Sequence, residues 1–363
     1  MVAALRQNSE MSSRPDEADT RVKVMLVDDS LTVRTVFSRM LAKEADLSVV
    51  ATASTAERGL DELRAQAVDV VLLDLEMPGM GGLEALPKIL ALSPSTKVLV
   101  ISSLTAEGAE HTVEALRMGA ADTMLKPRPG GFNDDYRDQL LGKVRALKGM
   151  GVEEVRRASV RPASRRAGKR PQVVAIGAST GGIHALNLFL RKLPKDFELP
   201  ILITQHLPAS FIPVFARQME VASGRQAILA DEGVEIRRGN LVIAPGHGHM
   251  VVHRKGTRHV TGLAYHPVKS GCMPSVDPMF ETLAEAYDGE VAGVLLSGMG
   301  RDGTDGAVSI VNAGGSIYAQ DAHSCAVWGM PRAVTEMGLT TAALPPEELA
   351  ETVLASAGAQ AWR

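Results

Sequence analysis

Short, almost wholly apolar runs alternate with amphipathic stretches along the first 150 residues. VKVMLVD (22–28), LSVVATA (47–53), VDVVLLDLE (68–76), KVLVISS (97–103) and DTMLKP (122–127) read as strands. Between the first two, Val33, Val36, Phe37, Met40 and Leu41 fall on one face at helical spacing. Further helices are expected over 56–66, 83–92, 109–118 and a last segment ending near Lys148. Pro87 is expected to kink or shorten the second of these. Uniformly apolar strands separated by helices belong in a parallel sheet covered on both faces.

The pattern resumes after residue 172. Strands are expected at VVAIGA (173–178), LPILITQ (199–205), GNLVIAP (239–245), HMVVHR (249–254), VAGVLLSG (291–298) and GSIYAQ (315–320). Helices are expected after Gly182, over 212–220, over 279–287 and after Asp305. An antiparallel excursion is expected near His247–Leu263. From Lys143 to Arg170 there are ten Lys or Arg against two Glu, a basic linker signature. The partition is a disordered lead (1–20), a first domain (21–145), a flexible linker (146–171) and a second domain (172–363). The fold class is α/β, with two doubly wound parallel-sheet domains. The first is flavodoxin-like; the second is larger and carries an antiparallel hairpin.

Composition narrows the function. At 363 residues and 45% hydrophobic, the chain supports two packed cores, and a net charge of -3 does not suit a polyanion-binding protein. Aromatics at 4% argue against base-stacking surfaces. An α/β second domain is also unlike a helix-turn-helix output, so no nucleic acid is expected. Two cysteines, Cys272 and Cys325, do not make a disulfide framework and fit a reducing cytoplasm. No signal peptide or membrane-spanning run is read, and no membrane insertion is expected.

In the first domain, Asp28 and Asp29 end the first strand and Asp74 the third, which puts three carboxylates on one sheet edge. Each alone reads as a cap or turn residue. Together they repel unless a hard cation neutralises them, and oxygen-only ligation suits Mg2+. Asp74 beside Lys126 is then placed to accept a phosphoryl group, with Ser102 available to its oxygens.

In the second domain, Gly177, Ser179 and Gly181 fit a G-x-S-x-G turn between strand and helix. His206 and Asp302 also follow strands. If those strands are parallel, the three side chains leave one edge as nucleophile, base and orienting acid. Backbone N–H groups near Thr180 and Met299 are candidate oxyanion donors. Separately, Ser179 reads as a helix cap and Asp302 as a turn residue. Asp305 is a rival acid that looks more like a cap. The order Ser, His, Asp differs from that of α/β-hydrolases, and IGASTGG lacks both dinucleotide and Walker spacing. His247, His249 and His253 read as surface or site-lining residues, the first two in a glycine turn, and Cys325 as a buried inert thiol.

LVDDS, LLDLEMPGMGG, VISS and LKP resemble the receiver domain of two-component response regulators. The resemblance implies Asp74 as phosphoacceptor, Asp28 and Asp29 as metal-site acids, and Ser102 with Lys126 as relay. Gly81 departs from the usual Asp. IGASTGG, ITQH, APGHGHM, PSVDPMF, GMGRDG and SCAVWGMPRA resemble the catalytic domain of chemotaxis protein-glutamate methylesterases. That resemblance implies a Ser179–His206–Asp302 triad acting on glutamate γ-methyl esters, and often on glutamines, of chemoreceptor cytoplasmic helices. No cofactor is implied for the ester reaction. A sensory histidine kinase would be the phosphodonor, relieving occlusion of the active site by the receiver. PVKSGCMPSVD departs from the family, which often has basic residues before the proline, so recognition near Cys272 and Met273 is expected to differ.

Overall fold

The computed structural model describes residues 20–103, 105–127, 131–148 and 168–358. Most of the lead and of the linker lies outside the described residues.

The first domain runs β1 (Val22–Val27), α1 (Leu31–Leu41), β2 (Leu47–Ala53), α2 (Ala56–Ala65), β3 (Val70–Asp74), α3 (Gly82–Leu92), β4 (Lys97–Ser102), α4 (Ala106–Arg117), β5 (Asp122–Leu125) and α5 (Asp134–Leu147). The strands form one parallel sheet in the order β2-β1-β3-β4-β5. The apolar runs are central: Val24, Val70, Val71, Leu73, Val98, Leu99 and Val100 have no exposed surface. α3 continues through Pro87 to Leu92, so it is not shortened as expected. Pro87 lies on the exposed face, where the carbonyl it leaves unpaired can meet water.

The second domain begins with β6 (Val173–Ala178), α6 (Gly182–Lys192), β7 (Ile201–Gln205), a 3-10 turn (Ala209–Phe211), α7 (Ile212–Ser223), β8 (Ala227–Leu229) and β9 (Leu241–Ile243). It continues through β10 (His249–Lys255), β11 (Arg258–Ala264), α8 (Val276–Ala286), β12 (Val291–Leu295) and α9 (Thr304–Asn312). It ends with β13 (Ser316–Gln320), α10 (Met330–Glu336), β14 (Thr340–Leu344) and α11 (Pro346–Ser356). Seven strands pair in parallel in the order β14-β13-β12-β6-β7-β9-β8. β10 and β11 form the antiparallel hairpin expected from the sequence. Strands β8 and β14 and helices α10 and α11 were not legible in the apolar pattern. Residues 168–169 already hold the flank of this seven-stranded sheet, through Gly168 N–H to Ser316 Oγ (2.8 Å) and Lys169 N–H to Gly314 O (2.8 Å).

β6, β7 and β12 are neighbours at the middle of this sheet, so the loops after them share its carboxyl edge. The first domain packs against the same edge. α4 and the turn into β5 meet α6 and α7: Ala121 O accepts from Gly181 N–H, and Arg217 pairs with Glu110 at 3.0 Å. Among the described residues, no helix is long and apolar enough to cross a membrane.

Candidate functional site

On the first domain, the carboxylates of Asp28, Asp29 and Asp74 lie within 4.8 Å of one another. Asp28 and Asp74 are buried and Asp29 is exposed. Lys126 Nζ donates to Asp74 Oδ2 at 2.7 Å, and Glu76 N–H to Asp74 Oδ1 at 3.0 Å. Burial nevertheless pushes the Asp74 carboxyl up to about 6, overriding Lys126, and it pushes Asp28 up too. This is a cluster short of positive charge. Its all-oxygen donor set fits a hard divalent cation. Ser102 ends β4 fully buried, and among the described residues its hydroxyl meets only Thr123 Oγ1, at 3.5 Å.

On the second domain, Ser179 sits directly after β6. The elbow needs its glycines: Gly181 has φ +76°, and a Cβ there would lie 2.4 Å from Ala326 Cβ. A Cβ on Gly298 would lie 2.9 Å from Ser179 Cβ. His206 follows β7, and its backbone N–H bonds Ala178 O at 3.0 Å, fastening the two loops side by side. His206 Nε2 bonds Asp302 Oδ2 at 2.8 Å. The Ser179 hydroxyl is part-exposed and has no hydrogen bond among the described residues, so the structure joins the imidazole to the carboxylate but leaves the serine hydroxyl unpaired. The N–H groups of Thr180 and Met299 also carry no hydrogen bond among the described residues.

Asp302 is held more firmly than the sequence suggested. Ser275 Oγ donates to its Oδ1 at 2.6 Å, and Val276 N–H to its Oδ2 at 2.7 Å. Burial alone would raise the carboxyl, but the His206 imidazole, the Ser275 hydroxyl and the Val276 N–H hold it below the usual range. Burial likewise works to lower His206. The bond to Asp302 and the Cys272 thiol beside it win, and the imidazole is raised to about 9. Asp277, one turn into α8, is pushed up by burial and by the Asp302 charge.

Ser275 was missed by the sequence reading, although a serine ahead of VDPMF carries an N-cap signal. His249 opens β10, as the strand expected at 249–254 requires, but it is a correction to the glycine-turn and surface reading, since it is fully buried. Its Nδ1 accepts from Ser275 N–H at 3.0 Å, so its Nε2–H is the donor to His266 O, also at 3.0 Å. A hydrogen-bonded line thus runs from His266 through His249 and Ser275 to Asp302 and His206. Asp305 stands in the first turn of α9, bound to Lys269 at 2.6 Å, away from the imidazole. Cys325 is buried, and burial pushes its thiol up, as suits an inert residue.

Beside the elbow, Thr180 Oγ1 donates to Asp122 Oδ2 of the first domain at 2.6 Å. The acid cluster lies at the carboxyl edge of the first sheet, whereas Asp122 lies at its amino edge. α4 spans the two.

A receiver-type α/β domain with an acid cluster, docked on the carboxyl edge that carries Ser179, His206 and Asp302 of a larger α/β domain, fits the class of response regulators with a hydrolase output. Residues 24–131 match the family described as response regulator receiver domain, and residues 174–353 match CheB methylesterase. A Paramagnetospirillum magneticum protein named protein-glutamate methylesterase/protein-glutamine glutaminase 1 is 39% identical, over 94% of this chain and 97% of its own. A Caulobacter vibrioides protein named protein-glutamate methylesterase/protein-glutamine glutaminase 2 is 41% identical, over 90% and 96%. The crystal structure of the Thermotoga maritima CheB methylesterase catalytic domain matches with TM-score 0.50 and 33% identity, over 51% of this chain and 98% of that one. The chain belongs to the protein-glutamate methylesterase/protein-glutamine glutaminase family and is a hydrolase.

Proposed function

We propose that this chain is a phosphorylation-activated serine hydrolase acting in the cytoplasm on glutamate γ-methyl esters, and on glutamines, of chemoreceptor cytoplasmic helices. The observation that supports it most is the 2.8 Å His206–Asp302 pair set beside an unpartnered Ser179 hydroxyl. Ser179 Oγ attacks the ester carbonyl, and His206 takes its proton on Nδ1, the ring nitrogen that Asp302 leaves open. The oxyanion settles against the N–H groups of Thr180 and Met299. Collapse releases methanol, or ammonia from an amide, as His206 returns the proton to the leaving group. Water then attacks the acyl-serine by the same route.

Regulation follows from the docking. Asp74 accepts the phosphoryl group from a sensory histidine kinase. Asp28, Asp29 and Asp74 would hold Mg2+, which supplies charge neutralisation for that transfer. The new charge beside Ser102 and Lys126 acts on α4, which leads into the turn where Ala121 O and the Asp122 carboxylate hold Gly181 N–H and the Thr180 hydroxyl. Loss of that grip frees the elbow. The test is methanol release from methylated receptor membranes, with and without acetyl phosphate. Ser179→Ala is expected to lower release by at least about 10⁴-fold. Retention of release in that variant refutes the assignment.

A further inference from the structure

The thiol of Cys272 stands where a catalytic triad has no use for one. Cys272 lies on the loop before α8 and is part-exposed. Its thiol donates a long hydrogen bond to Ser270 O, at 3.8 Å. Yet one ligand atom each from Cys272, His206 and Asp302 lie within 4.8 Å of one another. The loop opens on a cavity of about 380 Å³ lined by Cys272, Asp302, Asp277, Met299 and Lys269, so the cluster is reachable from solvent. Thiolate, imidazole and carboxylate together make the mixed donor set that zinc takes in three-ligand open sites.

From this cluster we infer a zinc site formed by Cys272, His206 and Asp302, occupation of which switches the hydrolase off. The geometry needs little rearrangement. Bonds of about 2.0–2.1 Å to nitrogen and oxygen at a tetrahedral angle set those atoms roughly 3.3 Å apart. The present His206–Asp302 separation is 2.8 Å, so the metal enters where the shared proton now sits. Cys272 gives up its thiol proton and supplies the third bond, and water fills the fourth position. The imidazole then holds its remaining proton on Nδ1 and has no lone pair with which to accept one from Ser179. The binding claim stands on the cluster alone; the inhibitory consequence rests on the proposed role of His206.

Cobalt(II) serves as the probe, because a cysteine thiolate bound to it gives a near-ultraviolet charge-transfer absorption that oxygen ligands do not. Cobalt held by Asp28, Asp29 and Asp74 is therefore silent in this readout. The full chain is expected to show the band, Zn2+ to bleach it, and Cys325→Ser to retain it. Cys272→Ser is expected to lose it and to weaken Zn2+ binding by at least the roughly 10- to 100-fold that a supporting group is worth. Zn2+ should inhibit methyl-ester hydrolysis by the unaltered chain, and equal inhibition of Cys272→Ser overturns the site. So does absence of the band, or its persistence in Cys272→Ser. Ser179→Ala should keep the band, so failure of the serine mechanism and failure of the zinc site give different results.

Discussion

Each of the two parallel sheets brings acids to its carboxyl edge, and the two edges treat them in opposite ways. At the first, Asp28, Asp29 and Asp74 face one another with Lys126 as the nearby cation, and burial drives Asp74 up to about 6. At the second, Asp302 is equally buried, yet an imidazole, a hydroxyl and a backbone N–H keep it ionised. The same topology therefore yields an edge that is short of positive charge and an edge that is already balanced. The first offers the all-oxygen donor set that suits a hard cation; the second already holds its carboxylate ionised with protein groups. The contrast teaches that strand order decides where acids meet, while the residues just beyond each strand decide what they do.

The sharpest test of the balanced edge is its pH profile. Asp302 holds the His206 imidazolium up to about pH 9, and only the neutral ring accepts the Ser179 proton. Hydrolysis should therefore rise about tenfold per unit from pH 7, roughly 100-fold in all, and level off near 9. The stability supplied by the pair has the opposite sign. It is full below the unfolded histidine value near 6.5 and fades as pH rises through about 9. A flat profile over that window would break the contrast. The unbalanced edge is probed by Asp74→Asn, which should abolish stimulation by acetyl phosphate. The expected loss is about 10- to 100-fold in stimulated rate, the span of an ordinary coupling free energy. Basal hydrolysis should remain.

Ser275→Ala tests how the balance is held. Removing a buried hydrogen bond to a charged acceptor should cost about tenfold in kcat at unchanged KM, corresponding to the lower end of about 1.5–3 kcal/mol. The bared carboxylate should also hold the imidazolium harder, so the midpoint of the pH profile moves up. A loss of rate with no movement of that midpoint would make Ser275 a packing residue only.

Much of this was legible before the coordinates. Four of the site residues stand at or just after the end of an apolar run: Asp28 and Asp74 in the first domain, Ser179 and His206 in the second. Runs of this kind are self-announcing because both faces are buried. Short or half-exposed elements are not, which is why β8 and β14 escaped notice. The role of His249 was missed because it directly follows Gly248, which carries turn chemistry locally, whereas its hydrogen-bond partner Ser275 lies 26 residues away. Cys272 and His206 are farther apart still in sequence, and no spacing rule connects them. The docking of the two domains was invisible for the same reason: Thr180 and Asp122 are each unremarkable alone.

That docking gives the smallest expected effect and the one that links the two edges. Asp122 Oδ2 accepts from Thr180 Oγ1 at 2.6 Å and from Lys143 Nζ at 2.6 Å, while Oδ1 caps Thr123 N–H at 2.8 Å. Asp122→Ala removes the contact with the elbow and leaves the acid cluster, on the opposite edge of its sheet, untouched. If the contact restrains Ser179, unphosphorylated enzyme should become about fivefold faster, the equivalent of about 1 kcal/mol for one hydrogen bond. Stimulation by acetyl phosphate should shrink by the same factor, because the stimulated rate itself stays where it was. Thr180→Val should reproduce both changes from the other side of the contact, with no change at Asp74. An equal fall in basal and stimulated rates would instead mean that the contact supports the elbow rather than restrains it, and α4 would lose its place as the link between the edges.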